Sequence, residues 1–94
     1  MADKLKGKIK SITTRFCWPR TAGMFANELG DYANPHQIQM FLDGAAIPSD
    51  ALLLGVLRSP DTTPNGRDWA RACLKEIEKV RAERTVDLDV ERRL

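Results

Sequence analysis

Apolar residues recur along this chain mostly at steps of three and four, the spacing that stacks side chains on one face of a helix. Leu5, Ile9, Ile12 and Phe16 form the first such stripe and predict a helix from about Asp3 to Cys17, with its lysines on the other face. The stretch from Lys4 to Lys10 also alternates with period two, and Ile12-Thr13-Thr14 is β-branched, as in a strand; the longer helical stripe takes precedence. Trp18-Pro19 ends the element, because the residue before proline is pushed out of the helical region. Thr21 can cap a second helix through about Leu29, with Met24, Phe25, Ala26 and Leu29 inward and Gly30 as its terminator.

After a loop from Asp31 to Asn34, a good N-cap followed by Pro35 predicts a third helix to about Asp43, stopping at Gly44. Ile38, Phe41 and Leu42 face inward on it; His36, Gln37, Gln39 and Met40 face outward. Ser49 caps a fourth helix, Asp50 to about Arg58, whose acidic start and basic end suit the helix dipole. Leu52, Leu53, Leu54, Val56 and Leu57 make it apolar nearly all round, so it belongs inside a core or under a partner. Ser59 to Gly66 is dense in turn residues and reads as a mobile loop. Trp69, Cys73, Ile77 and Val80 then predict a fifth helix from about Arg67 to Arg84. Thr85 to Val90 alternates apolar and acidic residues, which fits a short strand, a frayed charged end, or a swapped contact with the Lys-rich arm of a second subunit.

The elements add up to an all-α, five-helix single domain: a basic N-terminal helix or arm (1–18), a helical core (19–58), a loop (59–66), a C-terminal helix (67–84) and a charged tail (85–94). A length of 94 residues with 43% hydrophobic and 30% charged positions fits one modest core. The net charge of +2 selects no partner, but its distribution is uneven. Lys4, Lys6, Lys8, Lys10, Arg15 and Arg20 stand against Asp3 alone, whereas residues 21–57 carry Glu28, Asp31, Asp43 and Asp50 and no Lys or Arg.

Cys17 and Cys73 lack metal-ligand spacing, His36 is the only histidine, and no glycine-rich phosphate loop is present, so neither a metal site nor a cofactor is expected. No serine or cysteine has a recognisable activating histidine, and the expectation is a non-enzyme. With no apolar signal core and no membrane-length run, a reduced cytoplasmic protein with no membrane partner is expected, its cysteines serving as small core residues.

Ala26, Leu29 and Gly30, then Ile38, Phe41, Leu42 and Gly44, then Ile47-Pro48 before a Leu-rich helix, resemble the Cro and lambda-repressor type of helix-turn-helix domain over residues 20–57. The resemblance implies that the second helix supports the third in the major groove of double-stranded DNA. It places Asn34, His36, Gln37 and Gln39 where base-reading side chains sit, and amide side chains suit adenine. Since the motif itself lacks cations, phosphate contacts would come from its flanks: Lys4, Lys6, Lys8, Lys10, Arg15, Arg20 and Arg58. The implied function is a small transcriptional regulator. The alternative is a protein-binding regulator or inhibitor, of the sort a phage or other mobile element encodes, docking on a host protein through its acidic middle, an exposed Met40 and the over-apolar fourth helix. In either case the stripe Trp69, Cys73, Ile77 and Val80 offers a homodimer or partner surface, unless it closes the core of its own subunit.

Overall fold

Each helix after the first begins where a side-chain oxygen satisfies a backbone N–H that the helix itself leaves unpaired. Thr21 accepts from the Met24 amide (3.2 Å) and starts α2 (Ala22–Glu28). Asn34 accepts from the Gln37 amide (2.8 Å) while Gln37 accepts from the Asn34 amide (3.0 Å), a reciprocal capping box that starts α3 (Pro35–Leu42). Ser49 starts α4 (Asp50–Arg58) by accepting from Leu52 (3.1 Å). Thr63 does the same for Gly66 (3.2 Å) at the head of α5 (Pro64–Arg93). The first helix, α1, spans Ala2–Cys17. The structure is a computed structural model, and it describes the backbone of residues 2–93 and the side chains of residues 4–83. The fold is all-helical, with no strand among the described residues.

α5 is the central element, packing on α1, α4 and α2, while α3 lies against both α1 and α2. Trp69 sits at the junction, fully buried, with Phe25 of α2 edge-on to it (centroids 5.6 Å apart, 90°) and Phe41 of α3 tilted over it (6.0 Å, 30°). Its indole N–H donates to Thr13 Oγ1 of α1 (3.0 Å), so one side chain fastens three other helices. Leu5, Ile9 and Ile12 complete the α1 face of the core and Leu53 and Val56 the α4 face.

Several expectations are corrected. Trp69 and Cys73 are wholly buried, Ile77 is nearly so, and Val80 is half-buried against the core. The stripe therefore packs into its own subunit and is not an open surface, because α5 lies against α1, α4 and α2 along it. The fifth helix starts at Pro64, not Arg67, since Thr63 caps it and proline is favoured in a first turn. Asn65-Gly66 lies inside that turn. The segment before it is held, not a loose loop: Ser59 and Thr62 are buried, and Arg67 Nη2 donates to the Ser59 carbonyl (3.1 Å). The helix also runs through Thr85–Val90 to Arg93, so the period-two pattern is not a strand. Without a neighbouring strand, only a helix satisfies that backbone internally. The swapped tail contact concerns side chains outside the described residues. Finally, Met24 points outward at 56% exposed, because Phe25, Ala26 and Leu29 alone define the buried side of this two-turn helix, and Met40 is half-buried instead of exposed.

Candidate functional site

α3 presents a polar outer face bounded by its own caps. Asn34, His36 and Gln39 are exposed and Gln37 is half-buried. Two of these four side chains are committed to the helix: the amide oxygens of Asn34 and Gln37 each accept a backbone N–H of the capping box. Gln39 Nε2 donates to Asp43 Oδ1 (3.0 Å), one turn on. A bidentate contact to adenine uses both the oxygen and the nitrogen of an amide, so these three offer half of that pattern unless they let go of their partners. His36 has no hydrogen bond among the described residues and stands free in the first turn.

The cations absent from this stretch of sequence return through packing. α1 runs against the C-terminal end of α3, where Gly44 ends the helix at φ 71°, a left-handed conformation that glycine adopts without strain. A methyl group on Gly44 would meet Lys10 Cδ at 3.5 Å and the Lys6 carbonyl at 3.9 Å. Lys10 thus lies over the end of α3, whose carbonyls carry partial negative charge.

The other candidate cations divide between different surroundings. Lys4, Lys8 and Arg15 line a groove of about 400 Å³ with Ser11 and Glu76, on the flank of α1 that faces α5. Glu76 accepts from Lys8 (3.2 Å) and Lys79 (3.4 Å), and the Lys8 bond foremost holds its carboxyl below the usual range. Arg15 rests on the Phe16 ring at 6.0 Å. Arg20 is structural: it pairs with Glu28 and donates to the carbonyls of Phe16 and Trp18. Arg58 is exposed in the last turn of α4. Within a few helical turns, then, Lys6 and Lys10 belong to the α3 side of α1, and Lys4, Lys8 and Arg15 to the α5 side.

Two contributors escaped the sequence reading. Thr13 is fully buried as the acceptor for Trp69; its place four residues after Ile9, inside the apolar stripe, was the available signal. Glu28 gathers Arg20, the Thr63 hydroxyl (2.9 Å) and Asn65 Nδ2 (3.4 Å), tying the α1–α2 corner to the start of α5. No local pattern announces that convergence.

The cysteines offer little chemistry. Burial pushes the Cys73 thiol up to about 12 and also raises Cys17, against the opposing charge of Arg20, so both stay protonated at neutral pH. Among the described residues no three His, Cys, Asp or Glu side chains group as metal ligands, and no helix is long and apolar enough to cross a membrane. Among the described residues the exposed large apolar side chains are Trp18 (78%), Met24, Tyr32 and Leu54. Comparison with known protein families, curated proteins and solved structures finds no match.

Proposed function

We propose that this chain is a small DNA-binding regulator of helix-turn-helix type, with α2 supporting α3 in the major groove. The observation that supports the reading is the Lys10 stem packed beside Gly44, which brings a basic residue of α1 next to the end of a helix whose own sequence has no Lys or Arg. On this reading His36 and Gln39 contact bases, Asn34 and Gln37 fix the angle of the helix, and Lys6, Lys10 and Arg58 meet phosphates. Neutralising a phosphate releases counterions, so affinity falls steeply with salt and each lost contact flattens the slope by about one.

The test is a fluorescence-anisotropy titration with mixed duplex DNA at two salt concentrations. The wild type is expected to bind at low salt, Lys10→Ala to bind more weakly on every sequence with a shallower salt slope, and His36→Ala with Gln39→Ala to relax preference by about 1–3 kcal/mol per genuine base contact. Absence of binding at low salt overturns the proposal. A second reading, a protein-docking regulator or inhibitor of mobile-element origin, is favoured by the exposure of Trp18 and Met24 on either side of the Thr21 cap. An apolar interface of that kind changes little with salt.

A further inference from the structure

We propose that Asn65-Gly66 is a deamidation site which the native fold keeps closed, which reacts when the junction of α2 with α5 opens, and whose isoaspartate product bars that junction from re-forming. Asn27, Asn34 and Asn65 are the asparagines of the chain, and only Asn65 is followed by glycine. Because Gly66 has no side chain, its backbone nitrogen can reach the Asn65 carboxamide in an open chain. The bond from Gly66 N to Asn65 Cγ forms, the Cγ–Nδ2 bond breaks, and ammonia leaves with the amide proton. Water then opens the cyclic imide at either carbonyl, giving aspartate or isoaspartate.

In the fold, nucleophile and leaving group are both tied down. The Gly66 N–H donates to Thr63 Oγ1 (3.2 Å), and that hydroxyl in turn donates to Glu28 Oε1 (2.9 Å). Asn65 Nδ2 donates to the Phe16 carbonyl (3.0 Å) and to the same Glu28 oxygen (3.4 Å). One carboxylate, far away in sequence, thus holds the reactive pair from both sides. Asn65 lies in the first turn of α5, and ring closure needs a backbone rotation that its helical conformation does not allow. The reaction therefore runs only through molecules in which this turn has opened. The isoaspartate product does not fit back. It adds a methylene to the main chain just before Gly66, where even a methyl group would meet the Glu28 carbonyl oxygen at 2.6 Å and Thr62 Cγ2 at 3.0 Å.

Mass spectrometry of the tryptic peptide 59–67 tests this, after the full chain has stood in mildly alkaline buffer with and without guanidinium chloride. Conversion of the Asn65 amide to an acid is expected to be at least about tenfold slower in the folded protein. Thr63→Val removes both the acceptor for Gly66 and the link to Glu28, and should speed the conversion about fivefold in native buffer, the worth of a lost cap. Thr63→Ser should leave it unchanged. Circular dichroism reports whether the variants fold; if the valine variant does not, the wild-type comparison still decides. The isoaspartate form, separated from the reacted material, should fail to regain the denaturation midpoint of the parent chain. Equal rates with and without denaturant, a folded Thr63→Val that reacts no faster than wild type, or an isoaspartate form as stable as the parent would each overturn the proposal.

Discussion

Trp69 is held at its nitrogen as well as by its ring. A buried indole N–H without an acceptor loses its hydration and gains nothing in return, so Thr13→Val should cost about 1–3 kcal/mol in urea denaturation, whereas Thr13→Ser should keep most of the stability. The contrast separates the bond from the packing, because valine fills nearly the same space. Gly66 poses the opposite problem. A methyl group there would sit 2.6 Å from the Glu28 carbonyl oxygen and 3.1 Å from Leu29 Cδ2. Gly66→Ala gains helix propensity of about 1 kcal/mol yet forces α5 away from α2, and the balance should be a net loss of about 1–3 kcal/mol in the same assay. Read as a turn residue in the sequence, Gly66 is in fact the point where two helices touch backbone to side-chain-free backbone.

At the scale of elements, α2, α3 and α4 were legible because each carries its own punctuation: Thr21 and Gly30, Asn34-Pro35 and Gly44, Ser49 and Arg58. α5 was not, at either end. Its start depends on Thr63, whose hydroxyl also donates to Glu28, a partner far away in sequence. Its end runs through a stretch whose alternation suits a strand that has nothing to pair with. The candidate site was legible in part. The outward set on α3 followed from helical spacing, and His36 and Gln39 are exposed as expected. That Asn34 and Gln37 spend their oxygens on one another could be seen from their spacing of three residues, a capping-box pattern, yet a side chain able to read a base and one able to cap a helix are the same side chain. Lys10 was named from the sequence as a flanking cation, but its place beside Gly44 was not legible, since it reaches there only through the crossing of α1 and α3.

At the scale of the whole molecule, the basic N-terminal stretch is not one feature but two. Folding turns its flanks toward different neighbours, Lys10 toward α3 and Lys4 and Lys8 toward α5. The prediction that belongs here is selectivity of damage: on the DNA-binding reading Lys10→Ala should depress affinity and flatten the salt slope by about one, whereas Lys8→Ala, on the α5 side and paired with Glu76, should change either much less. The acidic middle, conspicuous in the sequence, loses its unity in the same way. Glu28 is a structural anchor, Asp43 is bound to Gln39, and Asp50 caps the junction with Arg81.

The two tryptophans differ in a way that turns the protein into its own instrument. Trp69 is sealed from solvent and Trp18 is 78% exposed, so the intrinsic emission is expected to hold a blue-shifted component that quenchers do not reach and a red-shifted one that they do. Acrylamide should extinguish only the second in the native state, and Trp18→Phe should abolish that quenching while leaving the unfolding transition readable through Trp69. A ligand or partner that settles on the α1–α2 corner would then announce itself by protecting Trp18, with the signal from the core unmoved.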